Sequence, residues 1–280
     1  MTDKLKQNIE NILQEKIMVF PCASGELKTD SGKKCFLKTG AESITYTCEA
    51  HGLNELKRAN VIDVVNPVAF GENFILTEFV ERGQAKADFF ENFGKKLAAL
   101  HRFRGEEFGF YEDNFIGANV QPNFASGEEK TNWTAFYFNK RLLFQYKLAE
   151  KNRLISDSLR NNFRKLENKI DKIIGPTDEL PVLLHGDLWS GNYLCNKSGA
   201  AVLIDPAVYY GHREADLAMT KLFGGFSPAF YRAYQLEYPL ESGWEYREGI
   251  YKLYHVLNHL NIFGHGYLPD AEWILKKYVE

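Results

Sequence analysis

Apolar residues recur at helical spacing through Leu5, Ile9, Ile12 and Leu13, so the chain opens on an amphipathic helix over 4–16. From about 17 to 38 the pattern shortens to strands broken by turns. Gly25 falls in the first turn, and Asp30-Ser31-Gly32-Lys33 makes the second, leading into Cys35-Phe36-Leu37-Lys38. A helix over 42–59 places Glu49, Leu53 and Leu56 on one face. Two strand-like runs, 64–70 and 74–80, meet at Gly71-Glu72-Asn73. Beyond Gly83 helical periodicity takes over: 88–103 with a Phe89, Phe93, Leu97, Leu100 stripe, then 133–151, 156–174, 214–223 and 247–263, with Gly175-Pro176 as a stop signal. Two strand-like pieces, 182–184 and 201–204, interrupt that stretch. The pattern predicts an α+β chain with a small antiparallel-sheet lobe carrying helices over 1–80 and a larger, mainly helical lobe over 81–280.

Composition narrows the function classes. At 280 residues the chain has ample material for two cores, and 45% hydrophobic with 25% charged residues is ordinary for a globular protein. A net charge of −3 gives no general attraction to nucleic acid or to an anionic membrane. No run approaches eighteen uninterrupted apolar residues, and the Met1-Thr2-Asp3-Lys4 start is not an apolar signal segment, so no membrane association is expected. The four cysteines form no CxxC pair and no zinc spacing, which fits reduced thiols in the cytoplasm.

The chemistry concentrates in His185-Gly186-Asp187-Leu188-Trp189-Ser190-Gly191-Asn192, followed thirteen residues later by Asp205 in Leu203-Ile204-Asp205-Pro206. Phosphoryl transfer from a magnesium nucleotide needs such a trio: one carboxylate to orient and deprotonate a hydroxyl, then an amide and a carboxylate as hard oxygen ligands for Mg²⁺. Asp187 is the candidate base, Asn192 and Asp205 the candidate metal ligands. A lone Asp would sooner cap a turn, and Asn after Gly is often conformational. It is the joint spacing that carries the reading. With a strand-rich lobe ahead of a helical one, the layout is that of a two-lobed protein-kinase-like fold.

The first lobe supplies the nucleotide side of that reading. Lys38 ends an apolar strand, where an ammonium calls for a partner, and Glu49 on the inward face of the next helix is the choice. Glu42 and Glu55 compete with it. Such a pair grips the α- and β-phosphates of ATP. Ser24 and Gly25 form a turn whose backbone N–H groups can face phosphate oxygens. Cys22 beside them is read either as a small packed hydrophobe or as a thiol whose oxidation blocks the site. Glu78, Phe79 and Val80 form a connector whose backbone can pair with the adenine edge. Asp216 opens a helix and is placed to hydrogen-bond the motif loop from below, but an ordinary helix-start carboxylate accounts for it as well and is the assignment made; His185 is assigned as a loop anchor. His255 and His259 sit four residues apart but lack a matching carboxylate, and Tyr251, Tyr254, Asn258 and Asn261 around them read as a polar, aromatic wall.

On these residues the chain closely resembles the fructosamine kinase (ketosamine-3-kinase) family. The likeness is densest from 181 to 226, through Trp189-Ser190-Gly191, Ile204-Asp205-Pro206-Ala207 and Leu222-Phe223-Gly224-Gly225-Phe226, and returns at Leu257-Asn258-His259-Leu260-Asn261. The HGD…N pattern alone is shared with aminoglycoside phosphotransferases and choline kinases. The resemblance implies ATP-dependent phosphorylation of the 3-hydroxyl of ketosamines, free or protein-bound, giving an adduct that breaks down and so removes the sugar. It also implies Asp187 as proton acceptor, Asn192 and Asp205 as metal ligands, Lys38 with Glu49 as the phosphate-gripping pair, and Glu78-Phe79-Val80 as the adenine connector. Trp189 is then placed to stack on a sugar face, with His259 and Asn261 to meet its hydroxyls. The chain departs from the family at Val19-Phe20-Pro21, where members often carry glycines. Two other readings compete: a kinase of another small alcohol, such as an aminoglycoside or choline, and a catalytically silent nucleotide-binding module that recognises glycated proteins.

Overall fold

The computed structural model describes residues 2–41, 43–175 and 179–280. Glu42 and the proline of the Gly175-Pro176 stop therefore lie outside the described residues. The chain divides into two compact units. One runs up to Phe89 and takes in Tyr193–Pro206; the other holds Phe90–Asn192 and Ala207–Glu280.

In the first unit, α1 (Thr2–Leu13) lies against a five-stranded antiparallel sheet. Its strands are β1 (Ile17–Val19), β2 (Gly25–Thr29), β3 (Lys34–Thr39), β5 (Pro67–Gly71) and β6 (Phe74–Glu78), in the order β1-β2-β3-β6-β5; α2 (Thr45–Arg58) and β4 (Asp63–Val64) intervene in sequence. Leu5, Ile9 and Leu13 cover Ile17, Leu27, Cys35, Leu37, Ala69, Phe74 and Leu76, the core of this layer. Ile12, at the rim of the predicted stripe, stays exposed. Gly25 is not in a turn: it begins β2 opposite Leu37.

The period of two along β3 decides which side chains do chemistry. Cys35 and Leu37 point to the core, so Phe36 and Lys38 point to the opposite face. The 64–70 run splits because Pro67 has no N–H to give a ladder. β4 instead pairs in parallel with Ala201–Leu203, which is itself antiparallel to Tyr193–Cys195.

The second unit is mainly helical. Phe93 of the Phe89–Leu100 helix packs on Phe230 and Phe226, with ring centroids at 5.2 and 5.6 Å. The 133–151 helix contains a π segment at Phe138–Leu143. There the fully buried guanidinium of Arg141 lies 4.0 Å over the Tyr209 ring and donates to the Asn123 Oδ1 and Pro122 carbonyl oxygens. The 156–174 stretch is two helices, Asp157–Glu167 and Ile170–Ile174. Periodicity did not flag the Asn114–Ile116/Asn119–Gln121 hairpin or the helices Pro228–Glu237 and Leu268–Val279. Val182–Leu184 pairs antiparallel with Tyr209–Gly211, and the motif loop leaves from its end. Among the described residues no helix is long and apolar enough to cross a membrane.

Candidate active site

In the first unit, the Lys38 ammonium is held between two carboxylates, 2.8 Å from Glu49 Oε1 and in contact with Asp205 Oδ1. Burial acts to depress the lysine pKa, but Glu49 and Asp205 outweigh it and hold the group above its ordinary value, so it is a fixed cation. Glu55 is occupied elsewhere, taking Arg58 at 2.7 and 2.9 Å. Asp205 has φ of +54°, a left-handed conformation uncommon outside glycine and held here in a residue that precedes proline.

These groups stand in the wall of a cavity of about 540 Å³. Its apolar sides come from Phe36, Val65, Leu194 and Ile204, with Ser24 also in the wall. The connector residues Glu78, Phe79 and Val80 line it too. The Glu78 carboxylate accepts the Asn66 backbone N–H at 3.0 Å and the Glu78 N–H donates to the Asn66 carbonyl at 2.9 Å, so both groups are committed to the fold. An apolar slot ending in a paired lysine suits a flat heteroaromatic ring carrying a polyphosphate. Gly25, by contrast, is taken up in strand pairing, and Cys22 is exposed.

In the second unit, the motif loop is suspended from a single buried carboxylate. Asp216 accepts the His185 backbone N–H through Oδ2 and the Gly186 N–H through Oδ1, each at 2.8 Å. His101 Nε2 lies 3.2 Å from Oδ2, and His101 Nδ1 lies 2.7 Å from the Tyr234 hydroxyl. Burial drives the His101 pKa down, so the ring is neutral. A carboxylate can only accept, which puts the proton on Nε2 and makes Nδ1 the acceptor of the Tyr234 O–H. Burial alone would raise the Asp216 pKa, but the bonds from His101 and Gly186 hold it below its ordinary value. Asp216 is thus more than the helix-start carboxylate assigned from sequence. His101 and Tyr234 were missed; the only signal was a histidine directly after an apolar stripe.

The loop then presents the half-buried Asp187. Asn192 Nδ2 donates to its backbone carbonyl at 2.7 Å and to its Oδ2 at 3.1 Å. That NH₂ is thereby committed to the loop, and Oδ1 is the side-chain atom of metal-ligating type. Gly186 makes the turn possible: its φ is +82°, and a Cβ there would stand 1.9 Å from the Ala207 carbonyl oxygen. At Gly191 a Cβ would lie 2.4 Å from the Trp189 ring, so the absence of a side chain lets the indole fold over the turn.

Trp189 meets Phe223 edge-on at 5.8 Å, and Phe223 meets His259 at 5.1 Å, which joins two of the three candidate substrate residues. Asn261 points elsewhere: its Nδ2 donates to the Gln145 backbone and side-chain oxygens at 2.9 and 2.8 Å. Its Oδ1 is buried without a hydrogen-bond partner, as is Nδ1 of His255.

A β-unit that fixes a lysine between two carboxylates beside an apolar slot, with an HGD loop braced by an asparagine, defines a phosphotransferase of kinase-like fold. An ADP-bound aminoglycoside phosphotransferase shares that fold, with a TM-score of 0.64 over 100% of this chain and 99% of that one at 12% identity, a likeness of fold alone. The chain belongs to the fructosamine kinase family, whose sequence model matches residues 2–280. The chloroplastic protein-ribulosamine 3-kinase of Arabidopsis thaliana is 38% identical over 261 residues, 90% of this chain and 78% of that protein. A Thermobifida fusca crystal structure assigned as a fructosamine-3-kinase aligns with a TM-score of 0.87 at 27% identity, covering 99% of both chains.

Proposed function

We propose that the chain is an ATP-dependent kinase of ketosamines acting in the cytoplasm, transferring the γ-phosphoryl group to the 3-hydroxyl of a sugar joined to an amine. Family membership supports the reaction class, and the Lys38–Glu49–Asp205 constellation at the end of an adenine-sized slot is the observation that carries the chemistry. In this reading the sugar O3–H is hydrogen-bonded to Asp187. Its oxygen attacks the γ-phosphorus, the bond to the ADP oxygen breaks, and the proton passes to the Asp187 carboxylate. Lys38 neutralises charge on the phosphates, while Asn192 keeps Asp187 in place. The carboxylate of Asp205 is a hard oxygen donor of the kind Mg²⁺ takes, and so is the amide oxygen of Asn192. A magnesium ion would supply neutralisation of phosphate charge.

Trp189 serves as the platform for the sugar ring. The product, a ketosamine 3-phosphate, breaks down and frees the amine. Neither rival draws support from a specific observation in this chain. Incubating the protein with ATP and ribulose-lysine or fructose-lysine should yield ADP and a sugar phosphate in equal amounts. Absence of ATP consumption with every ketosamine would defeat the proposal.

A further inference from the structure

The helices Trp244–Phe263 and Leu268–Val279 each carry a charged row along one face. On the first, Glu245, Glu248, Lys252 and Val256 recur at i, i+3, i+7 and i+11; on the second, Asp270, Trp273 and Lys277 recur at i, i+3 and i+7. Together with Leu222, Gly249 and Ile274 they line a cavity of about 320 Å³ within the second unit, and no residue of the HGD loop belongs to it. Val256 and Ile274 are its buried apolar part. Trp273, in the same wall, is 72% exposed, so a whole indole face is left to water beside an open pocket.

We propose that this cavity is a second carbohydrate site, which takes one neutral sugar ring against the face of Trp273. Small-molecule pockets span roughly 300–1,000 Å³, and this one lies at the low end, with room for a single ring and not for a nucleotide. Its charges offset each other. Glu245, Glu248 and Asp270 stand against Lys252 and Lys277 in the wall, and Lys221 joins Lys252 on the Glu248 carboxylate. No net charge is left to select an ion. Carboxylates only accept hydrogen bonds and ammonium groups only donate them, whereas each hydroxyl does both. A polyol therefore satisfies both kinds of wall group at once, which a purely cationic or purely anionic ligand does not. A hydrocarbon ligand would strip water from the charges and return no hydrogen bond. The C–H face of a sugar ring is the part of a polyol that packs on an indole, and its hydroxyls then radiate toward the charged rim. Trp189 and His259 take no part, so the site does not depend on the transfer chemistry.

Protein labelled with fluorotryptophan gives one fluorine resonance for each of its four indoles, and Trp273→Phe identifies the Trp273 signal by its loss. The probe is D-fructose, added without nucleotide. The Trp273 resonance should move saturably, with a half-point on the order of 1–10 mM, as suits a small ring held by few hydrogen bonds. Glu245 and Asp270 are exposed, so the double variant Glu245→Ala/Asp270→Ala should fold. It should raise the half-point roughly three- to tenfold and leave ATP turnover at the parental value. A Trp273 signal that stays in place or drifts without saturating up to about 100 mM overturns the inference. So does an unchanged half-point in the double variant. Saturation by spermidine and not by fructose overturns it as well, and makes the cavity a cation site. The readout is binding alone, so none of these outcomes touches the kinase reading, which is decided by ADP formation.

Discussion

Asn192 holds Asp187 at two points, its Nδ2 lying 2.7 Å from the aspartate's carbonyl oxygen and 3.1 Å from its carboxylate Oδ2. One amide thus fixes the main chain and the side chain of the proposed base together. Asp187→Asn keeps the shape and removes the proton acceptor. Turnover should fall by roughly 10²–10⁴ while nucleotide affinity changes little. Steady-state rates beside calorimetric titration with ATP check it, and turnover at the parental level would remove Asp187 from its role.

Replacing Lys38 by Met would leave Glu49 and Asp205 facing each other without their shared cation. A loss on the order of 10²–10³ in kcat is expected, with a raised KM for ATP, since a fixed charge on the phosphates disappears. Circular dichroism should show the fold retained, because the lysine stands in a cavity wall and not in the core beneath β3.

Asp216→Ala should act on folding and turnover together. It strips the His185 and Gly186 N–H groups of their buried acceptor and leaves His101 Nε2 without one. Breaking a buried charged network of this kind costs about 3–5 kcal/mol, which urea unfolding would register. The HGD loop should loosen at the same time. The destabilisation should be accompanied by a lower kcat even at temperatures where the variant is fully folded.

Acid should weaken the fold before most carboxylates titrate. Burial pushes the pKa of His212 and His255 down to about 3 from an ordinary value of 6.5. Below about 6.5 the unfolded chain binds protons that the native state refuses, so stability is full above that point and falls as pH drops toward 3. The slope is roughly 1.4 kcal/mol per pH unit for each histidine. Urea denaturation between pH 7 and 5 should show it, and His255→Gln should remove one histidine's share.

Much of this was legible because the signals were local. The β3 alternation and the Glu49 face of α2 each lie within a few residues and appear in the structure as read, and the five-residue HGD…N spacing appears as the Asn192–Asp187 contact. What escaped depended on partners distant in sequence. The sequence offered Asp216 as a support for the motif loop without deciding it against a helix-start role, because its partners His185, Gly186 and His101 lie 31, 30 and 115 residues away. Asn261 looked like a substrate ligand from its neighbours, yet Gln145 on another helix claims its amide. Gly25 read as a turn because glycine usually marks one; strand pairing with Leu37 overrode that preference. The 64–70 run looked continuous because both halves are apolar; Pro67 and the parallel bond of β4 to Ala201–Leu203 separate them.

That last pairing has a consequence for how the molecule is made. Because β4 waits for a partner some 140 residues downstream, a ribosome must have released Ala201–Leu203 before the nucleotide-side unit can close. Asp205 arrives on the same late segment, so a half-synthesised chain can build the sheet and its lysine but lacks one of the two carboxylates that hold it. The paired lysine would then be completed only after that late segment is out, so the first unit is not finished by its own N-terminal stretch.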